Sequence, residues 1–144
     1  MMHFKHALKI SALGLVLASG QALAHGNVTP QSVDTKNLEQ LGDEWLDTNP
    51  YRDHPQHDLA VKIGASAYNQ NCAACHGLEA ISGGMTPDLR ELESGDYGDE
   101  WYKERVVNGA VRDGRVYMPR MGDVLSQEAL WAIRTWLETV AVEQ

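Results

Sequence analysis

The feature that most restricts this chain is the run Cys72-Ala73-Ala74-Cys75-His76, which contains its only two cysteines. Two thiols three positions apart, with an imidazole directly after the second, admit four chemistries. A structural disulfide suits an exported chain but leaves His76 without a task. A thioredoxin-like redox pair wants a strand before it and a helix after it, whereas the segment before Cys72 reads as helix. A zinc site needs a further ligand at finger spacing; no third cysteine follows, and His54 and His57 lie upstream. The fourth reading is the attachment sequence of a c-type haem. Each thiol adds to one vinyl group of a single porphyrin, and the adjacent imidazole is carried under the iron. This reading uses all three residues at once. It predicts one covalent haem c, attached at Cys72 and Cys75, with His76 as an iron ligand.

The beginning of the chain has the form of an export signal. Lys5 and Lys9 supply a positive head, residues 10–18 an apolar stretch, and Ala22-Leu23-Ala24 a small-x-small cleavage pattern. The uncharged segment between Lys9 and His25 falls short of the roughly 20 apolar residues of a spanning helix, which weighs against an uncleaved anchor. The expected organisation is a cleaved signal peptide over 1–24, an N-terminal extension over 25–57 and a haem domain over 58–144, in a periplasmic protein without a membrane span. Loss of Lys5 and Lys9 takes the formal charge from −8 to −10. Nucleic acid and anionic membranes are poor partners for a chain of that sign.

The extension is polar, contains Pro30, Pro50 and Pro55, and shows no sustained period. It is either disordered or pinned to the domain through Trp45, Leu46 and Tyr51. From Asp58, a candidate N-cap, the residues Ala60, Ile63, Gly64, Ala67 and Tyr68 recur at helical spacing, and the chain leaves that helix at Asn71. A second amphipathic face, Ala129, Leu130, Ile133, Trp136, Leu137 and Val140, is opened by Ser126 as N-cap, with Glu128 in the first turn. Glycine is costly inside a helix, so Gly64 predicts a close helix crossing, with Ile133 and Trp136 as partners.

Between these helices, residues 77–96 hold four glycines and one proline with little periodicity. Structureless loops of that length are uncommon in compact domains. A loop wrapped around a large flat cofactor avoids the difficulty, with Leu78, Ile81 and Leu89 touching haem. A third helix is expected from about Asp99 to Val107, burying Trp101, Tyr102, Val106 and Val107 and ending at Asn108-Gly109.

An iron held by His76 needs a ligand on its other face, and a methionine there marks an electron carrier. Outside the signal the chain offers Met85, Met118 and Met121. Met118 is favoured because Pro119 takes the main chain out of helix and lets an extended strap lay the sulfur on the haem. Met121, Met85, His54 and His57 remain alternatives.

With these residues in place, the stretch from Asp58 to Val140 resembles a class I cytochrome c. Gly64 and Tyr68 stand where that family has its crossing glycine and aromatic. Thr86-Pro87-Asp88-Leu89 resembles its loop proline segment, and Met118-Pro119 with Gly122-Asp123 and Leu125-Ser126 is similar to its ligand strap. The resemblance implies an all-α fold of three or more helices and long loops around one haem. It implies that Pro87 and Leu89 are cofactor-binding, the Pro87 carbonyl accepting the proton on the far nitrogen of His76. In the extension, residues 26–30 and 44–52 resemble the periplasmic cytochromes that serve quinoprotein ethanol dehydrogenases. That implies a quinoprotein (pyrroloquinoline quinone-dependent) alcohol dehydrogenase as donor and a terminal oxidase or another cytochrome as acceptor, with no catalytic residues in this chain. The competing readings are a haem subunit of a larger oxidoreductase complex, attached through 25–57, and a gas-binding haem sensor with a labile sixth ligand. Lys103, Arg105, Arg112, Arg115 and Arg120 fall in one short stretch leading to the strap. They form either a positive docking rim or partners for haem propionates and nearby acids.

Overall fold

A computed structural model describes residues 29–142; the expected signal peptide lies outside the described residues. Four helices carry the architecture: α1 (His57–Asn71), α2 (Ala73–His76), α3 (Asp96–Asn108) and α4 (Gln127–Thr139). Single 3-10 turns stand at Leu78–Ala80, Leu89–Glu91 and Met121–Asp123.

The centre of the fold is the crossing of α1 and α4. A Cβ added at Gly64 would sit 1.9 Å from the Ala132 carbonyl oxygen and 2.9 Å from the Ile133 nitrogen, so only glycine lets the two backbones approach this closely. One turn further on, the rings of Tyr68 and Trp136 pack with centroids 4.6 Å apart. The expected crossing is present, with the Ala132 main chain as its tightest point. Ser126 caps α4, its hydroxyl accepting from the Ala129 amide at 3.3 Å. Asp58 does not cap α1: the helix begins at His57, and Asp58 occupies the first turn, where its charge complements the positive end of the helix.

The described part of the extension, from Thr29, bonds both long helices, Gln31 reaching Asn71 of α1 and Leu41 reaching Glu128 of α4. Tyr51 is fully buried and Leu38 nearly so, while Leu46, an expected anchor, stays exposed. A buried polar cluster does the fastening. Asp99 of α3, with no exposed surface, accepts from Arg134 Nε of α4 at 2.8 Å, Arg52 Nη2 at 2.6 Å and the Asn49 amide at 2.8 Å. Arg52 also pairs with Glu138 at 2.6 Å. Every charge in this cluster meets its opposite, as burial requires.

Helix α3 is longer than expected, because Asp96 and Asp99 in its first turn complement the positive helix end. Tyr102 and Val106 face the core, but Trp101, expected to be buried, is 37% exposed and carries Arg105 over its ring. The all-helical expectation also lacked one element, an antiparallel hairpin of β1 (Ala110–Arg112) and β2 (Arg115–Met118). Its loop is Asp113-Gly114, both residues at positive φ, which is the two-residue turn whose twist suits a hairpin.

Candidate haem site

Helix α1 ends where the attachment run begins. The Cys72 amide donates to the Tyr68 carbonyl at 2.8 Å, and the His76 amide donates to Cys72 at 2.9 Å, so α2 continues the helical path after a bend at Cys72. This places Cys72 against the core, half-buried, and Cys75 on the exposed side. Both are free thiols. Burial, with Cys75 as a second cause, pushes the Cys72 thiol up to about 12. A redox pair relies on a lowered thiol, so the direction of this shift speaks against that reading. Among the described residues no three His, Cys, Asp or Glu side chains converge as a metal group, which leaves the zinc reading short of ligands.

His76 ends α2 with Nδ1 3.3 Å from the Pro87 carbonyl oxygen. Burial lowers its pKa, against the opposing effect of that carbonyl. The result is a neutral ring held at Nδ1, with Nε2 available as a donor to a metal.

The loop after His76 is held close to the attachment run at several points. Tyr68 Oη donates to the Gly77 carbonyl at 2.8 Å, Thr86 Oγ1 donates to the Cys75 carbonyl at 2.9 Å, and the Ser82 hydroxyl bonds the Thr86 carbonyl. Gly77 has φ +84°, and a Cβ there would meet the Ile81 carbonyl at 1.9 Å. Glu79 and Ala80 also lie at positive φ, a conformation that costs non-glycine residues about 1–3 kcal/mol each and gathers at functional sites.

Leu89 is buried, whereas Leu78 and Ile81 are exposed and Met85 is 92% exposed. Across the chain, Val111 and Val116 pair on the hairpin and are both exposed. Two thiols, a neutral oriented imidazole and uncovered aliphatic side chains fit a large flat apolar group bearing a metal.

The candidate sixth ligands are sorted by position. Met118 ends β2 and is half-buried, followed by Pro119 outside any helix or strand and Arg120 in extended backbone. Met121 is buried in the core cluster. His57 opens α1, roughly 20 Å along the helix axis from Cys72 at 1.5 Å per residue, and bonds Asp58 at 3.2 Å. His54 bonds Glu39 at 3.0 Å.

The family described as cytochrome C oxidase, cbb3-type, subunit III matches residues 59–137. Cytochrome c550 of Pseudomonas aeruginosa is 71% identical over 132 residues, covering 91% of this chain and 90% of that protein. The dehydrogenase subunit of alcohol dehydrogenase (quinone) from Gluconobacter oxydans is 33% identical over 125 residues, 86% of this chain but 16% of that subunit. Quinohemoprotein alcohol dehydrogenase ADH IIB of Pseudomonas putida is 36% identical over 77 residues, 54% of this chain and 11% of the enzyme. No solved structure gives a significant match. Matches that run from the attachment helix through α4, together with the donor set at Cys72, Cys75 and His76, place the chain in the cytochrome c family, and its cofactor is covalent haem c.

Proposed function

We propose that this chain is a periplasmic one-electron carrier that accepts electrons from a quinoprotein alcohol dehydrogenase and passes them towards a terminal oxidase. The single observation that carries the donor is the likeness to two alcohol dehydrogenases, in each of which the matching stretch is a small part of the whole. Where an enzyme holds such a unit within its own chain, a free unit can do the same work between chains. The likeness to the Gluconobacter subunit extends over 86% of this chain, more than the haem domain alone.

Bound haem c supplies an iron that alternates between two oxidation states by one electron. The chain's own residues set the conditions for that change. Cys72 and Cys75 would hold the porphyrin at the end of α1, and His76 would donate from Nε2 while the Pro87 carbonyl holds Nδ1 and orients the imidazole. Leu89 contributes apolar surface beside it. Met118 would offer its thioether to the iron as the partner of His76. Met121 is the weaker candidate because its side chain already fills the core. Thioether ligation in dry surroundings favours the reduced state and a relatively high potential.

Mixing the oxidised holoprotein with a quinoprotein alcohol dehydrogenase and alcohol, and following haem reduction, tests the donor. Prompt reduction is expected, and none would overturn it. For the ligand, Met118→Leu should abolish the long-wavelength sulfur-to-iron absorption band while Met121→Leu keeps it. The reverse pattern would exchange their roles.

A further inference from the structure

The β1–β2 hairpin has two unlike faces. Val111 and Val116 are directly opposed, so their side chains share one face; Arg112 and Arg115, the next pair, share the other. The register then skips Tyr117 in a bulge between Val116 and Met118, and Tyr117 turns to the arginine face, where Arg112 lies over its ring at 5.8 Å. Arg112, Arg115 and Tyr117 are all exposed.

The charges around this face are unevenly neutralised. Lys103 is drawn back to Asp47 at 2.8 Å, and Arg120 pairs with Asp123 at 3.4 Å. Arg105 stacks on Trp101. Arg112 and Arg115 have no carboxylate within ion-pair distance among the described residues. Two guanidiniums without a carboxylate partner are thus held side by side at the end of the hairpin, on a chain whose formal charge is −8. Like charges directly opposed on a strand pair repel, and within the hairpin only the Tyr117 ring under Arg112 offsets that repulsion.

We propose that the outward hairpin face of Arg112, Arg115 and Tyr117 is the docking surface for the redox partner, and that the partner presents a cluster of carboxylates around an apolar contact for the tyrosine ring. This rests on the carrier reading above and specifies where the partner sits. Guanidiniums suit the role because each can bind a carboxylate through two parallel hydrogen bonds. Tyr117 adds apolar area at low entropic cost. The next residue is Met118, so a partner docked here lies within one residue of the strap.

The test separates this surface from the identity of the donor. Reduced holoprotein is oxidised by hexacyanoferrate(III), a small anion that takes one electron from the iron and forms no other bond, at salt from about 10 mM to about 0.5 M. A molecule of net negative charge repels an anion as a whole, so without local steering the rate rises with salt. With a basic docking face it falls. Arg112→Glu with Arg115→Glu should lower the low-salt rate about tenfold or more and reverse the slope. Reduction by the quinoprotein dehydrogenase should slow equally at low salt and match wild type at high salt.

A wild-type rate that rises with salt, or a double variant that keeps the wild-type slope, overturns the proposal. So does a concentration-dependent dimer in light scattering that the double substitution abolishes, since the face would then belong to a second copy. Arg112→Gln with Arg115→Gln, with its haem spectrum intact, guards against misfolding and should fall midway. If the dehydrogenase fails to reduce wild type while the hexacyanoferrate slopes hold, the donor is wrong and the surface stands.

Discussion

Two long irregular stretches flank the α1–α4 pair, and they are completed in opposite ways. The extension from Thr29 to Arg52 reaches across the sequence for its partners: Gln31 to Asn71, Leu41 to Glu128, Asn49 to Asp99, Arg52 to Glu138. The loop after His76 bonds mainly to itself and to the attachment run, and it leaves Leu78, Ile81 and Met85 uncovered. One stretch is finished by protein. The other is shaped for a surface that protein does not supply, and in a cytochrome c that surface is the porphyrin. A lack of periodicity therefore carries no single meaning: what matters is whether buried polar groups or exposed apolar ones are left over.

Removing the haem should break the comparison most sharply. Cys72→Ala with Cys75→Ala, which forfeits attachment, is expected to cost at least about 5 kcal/mol, the lower end of a whole domain's stability. Hydrogen exchange would show protection lost first over residues 77–95, with α4 and the extension protected longest. Equal loss on both sides would mean that the extension, too, depends on the cofactor.

The converse experiment loosens the extension and spares the loop. Asp99→Ala strands Arg52 and Arg134 without their buried carboxylate and should cost about 3–5 kcal/mol. Denaturant titration measures the loss, and proteolysis should open residues 42–48 before any other segment. The sulfur-to-iron band should persist, because no residue of this cluster belongs to the haem donor set. A smaller effect comes from Tyr68→Phe, which removes the hydroxyl bond to Gly77 at about 1 kcal/mol and should raise exchange in the loop alone.

The same contrast explains what could be read from the sequence. Helices α1 and α4 were legible because apolar residues recur on one face, and Gly64 was legible because an interior glycine needs a reason. The attachment run stood out because Cys72, Cys75 and His76 are adjacent in the chain, and Met118 was favoured there for the Pro119 that follows it; the burial of Met121 adds to that preference. The clamp on the extension was not legible. Asn49, Asp99, Arg134 and Glu138 are residue types that read as solvent-facing, and only the packing of the extension over α4 brings them together. Leu38, a buried anchor, is isolated among polar residues and gives no periodic signal. The hairpin was missed although Asp113-Gly114 between Arg112 and Arg115 is a turn signature; strands of three and four residues are too short to show alternation.

The smallest effect separates the two regions by pH. Glu128 stands in the first turn of α4 and accepts the Leu41 amide at 2.8 Å, tying the extension to the helix. Burial by itself raises its pKa, but the amides and the Ser126 hydroxyl that it accepts outweigh burial and hold it below the ordinary value of 4.5. A carboxylate lowered on folding stabilises the fold above its unfolded value, and that contribution is lost as pH falls through the folded one. As pH falls below the ordinary value of 4.5, exchange at the Leu41 amide, corrected for its intrinsic pH dependence, should rise relative to α1. Glu128→Gln keeps an acceptor oxygen but no charge, so it should cost about half a kcal/mol at neutral pH, the scale of a charge at a helix N-terminus. It should also remove the added pH dependence. If the variant keeps that dependence, a different carboxylate of the clamp governs how the extension holds on to α4.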